Sequence, residues 1–124
     1  MNTTWHVLKN LKESSDTKVI SAEASVTPES LWFDGHFPGK PILPGIAQLA
    51  LVSDALREFA RSRGDDIAVV GISRVRFRQF IRPDDSVQVS ASPEKEDPSL
   101  FKFKVRVNGQ LACSGFMATE KRNV

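Results

Sequence analysis

A histidine is the side chain best suited to taking a proton near neutral pH, and His36 stands in an unusual setting. It belongs to the run Gly35-His36-Phe37-Pro38-Gly39-Lys40-Pro41-Ile42-Leu43-Pro44-Gly45, eleven residues with three prolines and three glycines. Such a run is bent and stiff, neither strand nor helix. Where it ends, a long apolar stretch begins. Pro44-Gly45 suits a helix start, because proline is tolerated in the first turn and glycine lets a ligand approach the free backbone N–H groups. A histidine on a rigid loop beside a helix N-terminus joins a base to oxyanion donors.

The helix that follows is expected over Ile46 to about Arg63. From Ile46 to Leu56 its polar residues are Gln48, Ser53 and Asp54, and its apolar residues run round the whole circumference. That pattern predicts a helix enclosed by other structure. Charge returns at Arg57, Glu58, Arg61 and Arg63, and Gly64 is a natural stop. A carboxylate in so apolar a segment is costly to bury unpartnered, so Asp54 needs a reason to be there.

These residues must be held by the rest of a short chain. At 124 residues the sequence predicts one domain, 1–124, with room for a core but not for a second domain. Seventeen basic against 15 acidic residues give a net charge of +2, too weak to argue for nucleic acid. One cysteine, Cys113, excludes an internal disulfide and fits a reducing compartment. Neither a basic-then-apolar leader nor a membrane-length apolar run is present, which predicts a soluble, cytoplasmic protein with no membrane partner. We find no metal-ligand cluster and no glycine-rich nucleotide loop, so no cofactor and no metal are expected.

Thr4 to Leu11 reads as a weak first strand, with His6 an ordinary strand residue. Lys18 to Val26 alternates, with Ile20, Ala22, Ala24 and Val26 on one face. After the helix, strands are expected at Ile67 to Phe80, Ser86 to Ala91, Phe101 to Val107 and Leu111 to about Thr119, with the tail from Glu120 frayed. Asn108-Gly109 is a strong hairpin signal. Two strands, an enclosed helix and a four-strand antiparallel meander predict an α+β fold, one long central helix wrapped by a curved antiparallel sheet. Cys113 reads as core packing. Arg74, Arg76 and Arg78, like Lys102, Lys104 and Arg106, form basic stripes: solvated faces, or a surface that steers an acidic partner.

His36-Phe37-Pro38-Gly39-Lys40-Pro41 with Leu43-Pro44-Gly45 resembles the signature of the hot-dog-fold 3-hydroxyacyl-acyl carrier protein dehydratases. Val75-Arg76-Phe77-Arg78-Gln79-Phe80-Ile81-Arg82-Pro83-Asp84-Asp85 is similar to a strand and turn of the same family, and the layout matches over almost the whole chain. The resemblance implies a hot-dog fold and loss of water from a 3-hydroxyacyl thioester to give a trans-2-enoyl thioester, in fatty-acid or polyene-type biosynthesis. It implies His36 as the catalytic base and Gly45 as the backbone N–H donor to the thioester carbonyl. The substrate-binding residues expected beside them are Phe37, Pro44, Ile46 and Ala50. The implied partners are an acyl carrier protein or coenzyme A thioester, and a second copy or a related dehydratase, as homodimer, higher homo-oligomer or heterodimer.

One departure stands out. The family's acid, a Glu or Asp contributed across a dimer interface, falls at Ala50, which has no proton to give. Asp54 lies one helical turn further on the same face, roughly 5–6 Å away at Cβ. It is either a relocated acid or a structural carboxylate at the dimer seam. Two other readings stay open on this sequence: an acyl thioesterase on the same fold, and a non-catalytic partner subunit of a heterodimeric dehydratase. Gln48 and Ser53 either line an acyl tunnel or satisfy core contacts.

Overall fold

The computed structural model describes residues 5–28, 30–33 and 42–122. In chain order the elements are β1 (Val7–Glu13), β2 (Ile20–Ser25), a 3-10 turn (Leu31–Phe33), α1 (Gly45–Ser62), β3 (Ile67–Phe77), β4 (Val87–Pro93), β5 (Leu100–Val107) and β6 (Gln110–Lys121). The strands form one six-stranded sheet in the order β1-β2-β4-β5-β6-β3, every neighbouring pair antiparallel.

The meander holds for β4, β5 and β6 but not for β3. That strand lies at the far edge beside β6, from Ile67 opposite Lys121 to Phe77 opposite Cys113. The free side of β2 takes β4 instead, with Ile20, Ala22 and Ala24 opposite Ala91, Val89 and Val87. All six are at least 95% buried, so two apolar stripes in phase cover the helix together. Much of β3 faces outward: Val70 is 57% exposed and Ile72 44%. Alternation reports which face a side chain takes, but not which strand lies alongside. The expected fraying at Glu120 is also corrected, because Glu120 and Lys121 pair with Ala68 and Ile67.

The helix packs on one face of the sheet and buries Ala47, Gln48, Leu51, Val52, Ala55 and Leu56. Phe103, Val105 and Met117 are wholly buried in the same core, and Phe103 lies opposite Gly115, where a Cβ would meet its ring at 2.9 Å. The helix is not enclosed all round, as its composition predicts. One sheet covers one side, and Ile46 remains 65% exposed on the other. Its ends are as expected: Pro44 is the extended residue before the first turn, Arg63 caps the last, and Gly64 turns the chain away at φ +81°. Asn108 and Gly109, both at positive φ, close the β5–β6 hairpin.

Candidate functional site

The first turn of α1 is open. Ala47 and Gln48 N–H groups both donate to the Pro44 carbonyl, at 2.9 and 3.4 Å. The N–H groups of Gly45 and Ile46 find no backbone acceptor among the described residues. Helix geometry leaves such donors free, and the helix dipole adds partial positive charge there. Leu43 N–H donates to the Ile81 carbonyl at 2.7 Å, which ties the approach to the helix to the segment after β3.

A cleft of about 460 Å³ opens at this turn, lined by Ile42, Leu43, Pro44, Gly45, Gln48 and residues 77–80. Gly45 is packed so closely that a Cβ there would stand 2.9 Å from Cζ of Phe77. Gln48 is 3% exposed; its amide nitrogen donates to the Gln79 carbonyl at 3.4 Å, and its Oε1 has no partner among the described residues. An apolar cleft with aligned N–H donors at one end suits an acyl group whose carbonyl oxygen gains negative charge.

Of the residues expected to act, Pro44 and Gly45 are at this cleft, and His36 and Phe37 lie outside the described residues. Ile46 and half-buried Ala50 belong to the uncovered side of the helix. Asp54 is elsewhere. Nine residues of helix place it about 13–14 Å along the axis from Gly45, on a second cleft of about 390 Å³ with His6, Leu8, Leu11, Arg57, Glu58 and Arg61. Within one chain the structure does not bring Asp54 to Gly45.

Asp54 has a partner that the sequence reading missed. His6 Nε2 stands 2.6 Å from Asp54 Oδ2, and the Trp32 indole N–H donates to His6 Nδ1 at 3.0 Å. The His6 side chain is 8% exposed and that of Asp54 41%. An indole N–H only donates, so Nδ1 must present its lone pair and the ring proton belongs on Nε2, directed at Asp54. The Ser30 hydroxyl donates to the Trp5 carbonyl and accepts from Trp32 N–H at 3.1 Å. Trp5 packs edge-on against Trp32 at 4.7 Å between centroids. His6 is thus no ordinary strand residue: it precedes β1 and is pinned from two elements, α1 and the 3-10 turn. The signal available in the sequence was the unexplained carboxylate, which required a partner without saying which.

Two further features bear on chemistry. Cys113 is wholly buried, and burial pushes its thiol from 9.0 up to about 11, so it is inert as a nucleophile. On the outer face, strand pairing lines up Lys12, Ser21, Ser90, Lys104, Ser114 and Arg76 in one row across all six strands. None of its three cations forms an ion pair among the described residues.

Known proteins resemble this chain over most of its length. A family model described as ApeI-like, ApeI dehydratase, matches residues 12–116. The 3-hydroxyacyl-acyl-carrier-protein dehydratase FabZ of Idiomarina loihiensis is 30% identical over 121 residues, covering 90% of this chain and 80% of that protein. The FabZ of Polynucleobacter necessarius is 31% identical over 107 residues, covering 82% and 72%. Among solved structures, a chain of the dehydratase heterocomplex ApeI:P from Xenorhabdus doucetiae superposes with a TM-score of 0.72 at 21% identity, covering 91% of this chain and 96% of that one. A hypothetical thioesterase with coenzyme A from Streptococcus pneumoniae superposes at 0.69 with 12% identity, covering 95% and 89%. The fold is therefore the hot-dog fold, and the chain belongs to the ApeI-like dehydratase family.

Proposed function

We propose that the protein removes water from a 3-hydroxyacyl thioester to give a trans-2-enoyl thioester. The observation that carries this reading is the open first turn of α1, with Gly45 and Ile46 N–H unpartnered by backbone at the mouth of an apolar cleft. The thioester oxygen accepts the Gly45 N–H, which stabilises the charge that develops when the α-hydrogen leaves. His36 takes that proton. The C3–O bond then breaks, and the departing hydroxide takes a proton from Asp54 and leaves as water.

Because Asp54 is about 13–14 Å from Gly45 along its own helix, the acid is supplied by a second copy of the chain. Ile46, Val70, Ile72, Phe77 and Phe80 are 44 to 65% exposed, an apolar set around the free edge of β3 that fits edge-to-edge pairing. The substrate is carried by an acyl carrier protein or coenzyme A, and the outer-face cations, without ion pairs among the described residues, favour an acidic carrier. A second reading has one specific support: Ala50 carries no acid, and a heterodimer with a related dehydratase would supply it. The structural neighbour ApeI:P is itself described as a dehydratase heterocomplex.

The test is hydration of a trans-2-enoyl thioester, followed by loss of enoyl absorbance, with His36→Ala and Asp54→Asn beside the wild type. Loss in both variants supports the stand-alone enzyme. An inert, folded wild type that becomes active with a dehydratase-like partner supports the heterodimer.

A further inference from the structure

We infer that Trp32 and His6 are positioning residues that hold Asp54 for proton transfer, an inference that rests on the dehydratase reading above. Both nitrogens of His6 are engaged, so the ring has no lone pair left to act as a base itself. Its fixed tautomer has one consequence: Nε2–H is directed at Asp54 Oδ2, which leaves Oδ1 as the oxygen that carries the proton given to the substrate. The reverse arrangement, with a proton on Oδ2 donated to Nε2, would place an N–H on Nδ1 facing the indole N–H, two donors without an acceptor.

The relay is anchored rather than loose. Trp32 sits in the 3-10 turn Leu31–Phe33, and the buried Ser30 hydroxyl binds that turn to the Trp5 carbonyl, one residue before His6. The His6 and Trp32 ring planes are parallel to within 8°, with centroids 6.2 Å apart. On the far side, Asp54 shares its cleft with Arg57, Glu58 and Arg61 of its own helix and with Leu8 and Leu11 of β1. Among the described residues His6 alone bonds to its carboxylate.

The test uses the full-length chain and four variants, with two readouts. The first is the tautomer of His6 in a long-range 15N–1H correlation spectrum, where only two histidines appear. The proton is expected on Nε2 in the wild type, with that preference lost in Trp32→Phe. The second is enoyl thioester hydration. His6→Phe keeps the ring volume but offers neither bond, and kcat should fall about 100-fold, the scale of a misplaced catalytic group, with KM within about threefold. His6→Gln can donate to Asp54 from its amide nitrogen and accept from Trp32 at its oxygen, so it should recover most of the lost turnover. Asp54→Asn should be at least as slow as His6→Phe.

Wild-type kcat in a folded His6→Phe, or a His6→Gln as slow as His6→Phe, overturns the relay. Should His6→Phe not fold, Trp32→Phe decides: unchanged kcat with a scrambled tautomer overturns it as well. A wild-type His6 protonated on Nδ1 sinks the relay alone. A wild type inert on enoyl thioesters both alone and with a dehydratase-like partner, with the expected tautomer, instead sinks the dehydratase reading and the catalytic role assigned here.

Discussion

Gly45→Ala should separate stability from activity. The new Cβ would stand 2.9 Å from Phe77 Cζ and 3.1 and 3.3 Å from the two Cε atoms, where ordinary contact begins at 3.4 Å. The ring must therefore retreat by about 0.5 Å or swing aside. Phe77 is 52% exposed, so it has room to move, at about 0.5–1.5 kcal/mol if χ is forced well off its well. Against that, alanine is favoured over glycine in a helix by up to about 1 kcal/mol, less in the first turn. The two effects nearly cancel, and urea midpoints should agree to within about 1 kcal/mol. Activity should not be spared, because Phe77 lines the same cleft as Gly45. A ring displaced there misplaces the acyl group relative to the N–H donors, and kcat/KM should fall about tenfold, half on a logarithmic scale of what a 1 Å error costs. Phe77→Leu removes the colliding ring atoms, so Gly45→Ala should be nearly harmless in that background. A double-mutant cycle on enoyl hydration should give a coupling of at least about 1 kcal/mol. Equal losses in both backgrounds would refute the reasoning, since the methyl would then act on something other than the Phe77 ring.

Three further outcomes are expected. Cys113 keeps its proton to about pH 11 when folded and to about 9.0 when unfolded, so it contributes nothing to pH dependence below pH 9. Between the two values only the unfolded chain ionises, and the protein should lose up to roughly 3 kcal/mol of stability as pH rises; urea melts at pH 8.5 and 10.5 should show this decline, and Cys113→Ala should lack it. Ile72→Lys puts a charge in the exposed apolar set on β3 and should leave the monomer folded while weakening self-association 10- to 100-fold, from about 1.5–3 kcal/mol of apolar burial; light scattering that still finds an unchanged dimer at low micromolar concentration would place the interface elsewhere. Arg76→Glu with Lys102→Glu reverses two exposed charges on the outer face and should raise KM for a carrier-protein substrate by about tenfold at low salt, with kcat unchanged and the effect fading above 0.5 M salt, as expected for steering. An unchanged KM would remove the outer face from carrier recognition.

Much of this molecule was legible in its sequence because the determinants are local. The period-two alternation of Ile20 to Val26 and of Phe101 to Val107 sets which side chains meet the helix, Pro44-Gly45 and Gly64 set where the helix begins and ends, and Asn108-Gly109 can hardly do other than turn a hairpin. Of the candidate site, the open helix start at Gly45 was legible in the same way, while His36 and its loop lie outside the described residues. What the tertiary structure alone decided involves partners far apart in the chain. Alternation cannot say that β3 leaves β4 for β6, because strand faces carry no label for their neighbour. Composition could not show that the helix is covered on one side only, since an exposed apolar residue such as Ile46 reads in sequence like a buried one. Asp54 could be seen to need a partner, yet His6 lies 48 residues away, and its bond forms only once β1, the Ser30 turn and α1 have closed on one another.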